Sequence, residues 1–140
     1  MGTEVHSSEK SVQVAARLLI ALLFLYSGIG KILAPSVVIG AIAHVGLPLP
    51  QFCYIGAIVL ELGVSLCFVF GFRTRTAALV LGVYCVVTGI LFHFEPSNPQ
   101  QTIQLLKNLA ITGGLVPYVF AGRSPVATVQ PAGAGTAGRA

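Results

Sequence analysis

Four apolar stretches, each about as long as a bilayer is thick, restrict this chain to folds that cross a membrane. They are Val12–Leu33, Phe52–Phe70, Thr76–Phe94 and Thr102–Phe120. About 20 residues at a rise of roughly 1.5 Å each traverse the hydrocarbon core. A backbone in hydrocarbon must pair its own N–H and C=O groups, so the stretches are predicted to be helices. Composition agrees, because only 9% of the residues are charged, against roughly 25% in a soluble domain that must face water. The fold class expected is all-α, an integral membrane four-helix bundle.

The breaks between the stretches carry turn chemistry. Pro35 follows the first, Gly46-Leu47-Pro48-Leu49-Pro50 precedes the second, Gly71-Phe72-Arg73-Thr74-Arg75 links the second to the third, and Glu95-Pro96-Ser97-Asn98-Pro99 precedes the fourth. Ser36–Val45 is apolar but too short to span, so it is expected to lie along the interface. The membrane domain is therefore 12–121. Segment 1–11 reads as a flexible N-terminus, and 122–140, rich in Gly, Ala and Pro, as a disordered tail. Arg17 followed by Leu18–Ile29 has the outline of a signal peptide. Ser27-Gly28-Ile29-Gly30-Lys31 does not provide the small-residue cleavage pattern, however, and three more spans follow.

Lys and Arg in short loops set orientation. Lys10, Arg73, Arg75, Arg123 and Arg139 fall on the N-terminus, the second loop and the tail, which an even number of spans places on one side. Both termini are expected in the cytoplasm. No basic stripe or stacking platform argues for nucleic acid. Cys53, Cys67 and Cys85 stand apart, with no C-x-x-C, so neither thiol exchange nor a cysteine metal site is signalled.

The chemistry lies in the polar residues that enter the spans. A charge at a helix centre costs about 2.5–3.5 kcal/mol on insertion scales, so such residues usually face a bundle interior. Here they are Arg17 and Lys31 on the first helix, Glu61 on the second, His93 on the third, and Lys107 with its neighbour Asn108 on the fourth. Arg17, Ala21, Phe24, Gly28 and Lys31 recur at helical spacing and make one inward face, leaving Leu19, Leu22, Leu23 and Ile29 to lipid. Lys107, Ala110 and Gly114 form a similar small-residue face on the fourth helix. Depth along the helices makes Arg17 or Lys107 the expected partner of Glu61. Arg17 and Lys31 equally suit snorkelling to the headgroups. Glu61 and His93 are candidate proton-transfer groups, and His93 equally suits a polar position at the interface. A lone histidine gives no evidence for metal. The tyrosines read as interfacial anchors.

The ordered set of Arg17, Ser27-Gly28-Ile29-Gly30-Lys31, Gly46-Leu47-Pro48-Leu49-Pro50, Glu61-Leu62-Gly63, Gly71-Phe72-Arg73-Thr74-Arg75, His93-Phe94, Leu106-Lys107-Asn108-Leu109-Ala110 and Gly113-Gly114 resembles the DoxX family. The resemblance runs from about Arg17 to Gly114. It implies a small four-helix inner-membrane protein of bacterial type, associated with redox or oxidative-stress complexes through a link to thiosulfate:quinone oxidoreductase. It maps the shared polar positions onto Arg17, Lys31, Glu61, Arg73, His93, Lys107 and Asn108.

Three functions follow as expectations. One is a redox-associated subunit whose interior, lined by Arg17, Lys31, Glu61, His93, Lys107 and Asn108, binds a quinone or a small anion. Another is a non-catalytic anchor or assembly partner of a soluble oxidoreductase. The third, a small transporter, is the weakest, because no inverted repeat or broken-helix pair is evident. No self-contained catalytic motif is present.

Overall fold

The computed structural model describes residues 2–120. The expected tail, including Arg123 and Arg139, lies outside the described residues.

Each apolar stretch is helical, and the breaks fall where proline and glycine redirect the backbone. Helix α1 runs Gly2–Leu33 and stops ahead of Pro35. Pro35 then opens α2, Pro35–His44, because the N–H that proline lacks would have no partner in a first helical turn. Gly46 at φ 78° and Leu49 at φ 51° turn the chain into α3, Pro50–Ile58. α3 continues directly into a π-helical turn, Val59–Val64, and then α4, Ser65–Val69, so that these three pieces form one span. Gly71 at φ 77° and Arg73 at φ 45° reverse the chain into α5, Thr74–His93. Finally α6, Pro99–Phe120, begins where Asn98 Oδ1 accepts from the N–H groups of Gln100 and Gln101 at 3.1 and 3.4 Å, capping donors that a helix start leaves free.

Four stretches are long and apolar enough to span a membrane, namely Ser11–Leu33, Pro50–Val69, Thr74–His93 and Pro99–Phe120. Each boundary lies within a turn of the expected one. The apolar segment Ser36–Val45, too short to span, falls largely within the helix α2, which packs against α3. Residues 2–10, expected to be flexible, instead continue α1 as helix. Once a helix is nucleated, adding residues to its end costs far less than starting one. The spans alternate in direction. One end of the bundle, here the terminal end, holds the start of α1, the α4–α5 turn and the end of α6. The opposite, loop end holds α2 and the α5–α6 connection.

In lipid the hydrophobic effect does not draw helices together, so close packing and polar contacts must do so. The core consists of Phe24, Phe68, Ala77, Ala78, Leu81, Cys85 and Leu115. Phe68 meets Tyr118 edge to face, with ring centroids 5.0 Å apart at 82°. The closest helix pair is α5 and α6. A Cβ on Gly89 would come within 3.2 Å of Asn108 and Leu105, and Thr112 donates across the pair to the Gly82 carbonyl at 3.3 Å. Ala21, Phe24 and Gly28 are buried while Leu19, Leu22, Leu23 and Ile29 are exposed, as the spacing on α1 predicts. The small-residue face of α6 behaves otherwise. Lys107, Ala110 and Gly114 are exposed, because Leu105, Asn108 and Thr112 supply the surface that packs on α5.

Candidate functional site

Glu61 sits in the π-helical turn and is only 3% exposed. A carboxylate so placed needs partners, since burying an unpaired charge is expensive. Lys31 Nζ donates to both carboxylate oxygens, at 2.8 Å to Oε1 and 2.9 Å to Oε2. Tyr84 donates its hydroxyl to Oε1 at 2.7 Å. Lys31 Nζ also donates to Ser27 Oγ at 2.8 Å, and Tyr54 donates to the Lys31 carbonyl at 3.2 Å. Three spans thus converge on one carboxylate.

The local backbone explains the aim of each group. A π-helical turn holds more residues than an α-turn and is frequent at functional sites. At its end the Ser65 N–H goes to the Leu62 carbonyl, and the buried Ser65 hydroxyl donates to the Glu61 carbonyl. Side chains on a helix lean toward its N-terminus. Lys31, at the loop end of α1, therefore leans back toward Ser27, one turn deeper, and reaches the buried carboxylate. Gly28 lets the π turn come close, for a Cβ there would lie 3.2 Å from Glu61 Cβ and 2.7 Å from Leu62 Cδ2.

The expected partners of Glu61, Arg17 and Lys107, are placed elsewhere. The Arg17 guanidinium lies 5.5 Å from the Tyr118 ring centroid, in cation–π range. It also borders Gly71 at the terminal end, and its buried Nε has no hydrogen-bond partner among the described residues. Lys107 is exposed and makes no hydrogen bond or ion pair among the described residues. The leaning rule accounts for both, because Arg17 on α1 leans toward the terminal end and Lys107 on α6 toward the loop end, each away from Glu61. His93 Nδ1 donates to Gln101 Oε1 at 2.7 Å, bridging the α5–α6 connection apart from the carboxylate. Asn108 packs on Gly89, and Arg73 is exposed in its turn. Of the candidates, the geometry gathers Lys31 and Glu61 together and leaves Arg17, His93, Lys107 and Asn108 outside their contacts.

Tyr84, Ser27 and Tyr54 belong to the site and were not singled out in the sequence. For Tyr84 a signal existed. Its phenol stands in the middle of Thr74–His93, where a headgroup anchor has no use and a buried hydroxyl needs a partner. Ser27 stands one helical turn before Lys31, the spacing at which side chains on one face meet.

Fold and site together define a four-span membrane protein whose bundle is joined internally by a lysine–glutamate–tyrosine cluster around a buried carboxylate. The DoxX family model matches residues 12–94, a stretch that contains the whole cluster, and the chain belongs to that family. It is 33% identical over 109 residues to "Inner membrane protein YqjF" of Escherichia coli (strain K12), covering 78% of this chain and 82% of that protein. It is 26% identical over 113 residues to "Inner membrane protein YphA" of the same organism, covering 76% of this chain and 80% of that protein. No solved structure matches.

Proposed function

We propose that this chain is a redox-associated subunit of the inner membrane, and that its Lys31–Glu61–Tyr84 cluster binds the head group of a quinone and handles its protons. The observation that carries the proposal is the buried carboxylate in a π-helical turn, held by a lysine and a phenol from two other spans. A quinone carbonyl accepts hydrogen bonds, and Lys31 Nζ and Tyr84 OH, which donate to Glu61 and Ser27, would supply donors to that group by turning part of Glu61's share to it, beside the Ser27 hydroxyl. When bound, a quinone supplies two-electron, two-proton carrier chemistry. The chain's part is to orient the head group through Lys31 and Tyr84 and to pass protons through the Tyr84–Glu61 hydrogen bond. A small anion is the poorer occupant. Glu61 neutralises Lys31, and the other cations expected to make the interior positive, Arg17 and Lys107, make no contact with that pair.

Glu61→Gln and Tyr84→Phe test this. Both retain most of the local shape while removing proton transfer. Quinone-coupled electron transfer in membranes, normalised to folded protein, is expected to fall by about a hundredfold in Glu61→Gln, the scale of a lost acid–base group. A smaller loss is expected in Tyr84→Phe. Unchanged activity per folded molecule in both would defeat the proposal.

A second reading, a non-catalytic anchor or assembly partner, draws on the same cluster. Every Glu61 carboxylate contact runs to another helix, which is how polar groups hold membrane bundles together. Under it, Glu61→Gln lowers the amount of protein and nothing else.

For orientation we propose that both termini are cytoplasmic. Arg73 and Arg75 lie at the terminal end, while 34–49 and 94–98 at the loop end contain no Lys or Arg. Single cysteines at Thr74 and at Ser97, in a chain with its own cysteines replaced, are expected to label oppositely with an impermeant maleimide in intact cells, only the one at Ser97 reacting. The reverse labelling would invert the topology.

A further inference from the structure

The bundle is not closed all round. α5 and α6 pack along their length and α1 packs on the second span, whereas the backbones of α1 and α6 hardly approach each other among the described residues. At the terminal half, side chains fill the seam between α1 and α6. Tyr118 donates to the Gln13 carbonyl at 3.3 Å and lies beneath Arg17, a Cβ on Gly114 would lie 3.7 Å from Ile20, and Phe24 and Leu115 belong to one buried cluster. The stripe of α6 that does this is Ile111, Gly114 and Tyr118. Continued toward the loop end at the same helical spacing it reads Lys107, Gln104 and Gln100. The seam therefore changes from apolar to polar halfway along.

Register places that change beside the site. α1 and α6 are antiparallel with equal rise, so the seven residues from Gly114 back to Lys107 correspond to the seven from Ile20 forward to Ser27. Ser27 accepts from the Lys31 ammonium that holds Glu61. Lys107 thus stands at the level of the cluster, across the seam from it. The Lys31 side chain is 22% exposed, and Tyr84 and Thr88 are half-buried.

A lysine exposed within a span calls for a partner. The chain has four acidic residues, Glu4, Glu9, Glu61 and Glu95. Glu61 belongs to Lys31, Glu4 and Glu9 lie at the far end of α1, and Glu95 lies in the α5–α6 connection. A second copy of the chain has no intramembrane carboxylate left to offer either. What the seam provides is hydrogen-bond donors from both walls, with lipid at its mouth. That suits a neutral, lipid-soluble compound bearing carbonyl acceptors.

We propose that the loop half of the α1–α6 seam is a lateral mouth, by which a quinone-class ligand moves from the bilayer to the Lys31–Glu61–Tyr84 cluster, and that Lys107 donates to it from the α6 wall. The inference rests on the quinone reading above and adds the route and a residue on a helix beyond the matched family stretch. The experiment uses the full chain in nanodiscs with decylubiquinone and an azido-quinone photolabel. Lys107→Leu, a change at an exposed position, is expected to leave thermal stability unaltered. It should weaken decylubiquinone binding about tenfold, the scale of one hydrogen bond to a charged group, and Lys107→Arg should restore it. The photolabel is expected on both the Ser27–Lys31 turn of α1 and the Lys107 turn of α6. Full binding in Lys107→Leu, label absent from α6, or a photo-cross-link from position 107 to another polypeptide would each overturn the mouth while leaving quinone binding intact. Failure of the unaltered protein to bind decylubiquinone would instead overturn the reading on which the mouth rests.

Discussion

Glu61→Leu lowers stability by about 3 kcal/mol, at the lower end of the roughly 3–5 kcal/mol seen when one partner of a buried ion pair is removed. The lower end applies because Lys31 stands near the loop end of α1 with 22% of its side chain exposed, from where its ammonium can turn toward the headgroups once its partner is gone. The variant also strands the Tyr84 hydroxyl, which has donated to Glu61 Oε1. A competing magnitude decides what the measurement means. Ordinary interhelical hydrogen bonds in membranes average only about 0.6 kcal/mol, because the unfolded helices also find polar partners in the bilayer. A loss near that figure would demote the pair to general glue. Lys31→Met combined with Glu61→Leu is expected to recover most of the loss, since removing both charges is often neutral. The cycle is read by unfolding in mixed micelles, and additive single losses would show that the two side chains do not interact.

The spans, their breaks and the inward face of α1 were legible in the sequence, because they depend on residue type and helical period alone. Val12–Leu33 and the observed Ser11–Leu33 differ by a single residue. The partner of Glu61 was not legible from depth, which treats a side chain as equally free to reach up or down. A helical side chain leans toward its own N-terminus, and applying that direction to Arg17, Lys31 and Lys107 selects Lys31 before any coordinates are consulted. Two features had no such signal. The π-helical turn at Val59–Val64 is made of residues that serve equally well in an α-helix. The burial of α6 was also misread, because Ala110 and Gly114 are small and yet Leu105, Asn108 and Thr112 form the packing surface. Small residues permit close approach without stating from which side it comes.

Gly28 and Gly30 stand two residues apart on α1, and their alanine variants are expected to behave oppositely. Both sit in a helix interior, where alanine is favoured over glycine by about 1 kcal/mol through backbone entropy alone. At Gly30 nothing lies within 4 Å of the added Cβ, so Gly30→Ala is expected to be neutral or slightly stabilising. At Gly28 the same atom would fall 2.7 Å from Leu62 Cδ2, 2.9 Å from Leu62 Cγ and 3.2 Å from Glu61 Cβ. Rotating the end of Leu62 does not relieve the contact with its branch point, and Glu61 Cβ is fixed to the π-turn backbone. The two helices must therefore separate, and overpacking of this kind costs typically 1–3 kcal/mol, which outweighs the gain in propensity. Separation also lengthens the Lys31–Glu61 bonds, so under the quinone proposal Gly28→Ala is expected to lower electron transfer per folded molecule along with stability. Leu62→Ala in the same chain removes the two nearest atoms and is expected to restore much of the stability lost in Gly28→Ala. Equal stability of the Gly28 and Gly30 variants, measured under one set of micelle conditions, would mean that α1 does not rest on the π turn at Gly28 and that Lys31 reaches Glu61 by some other approach.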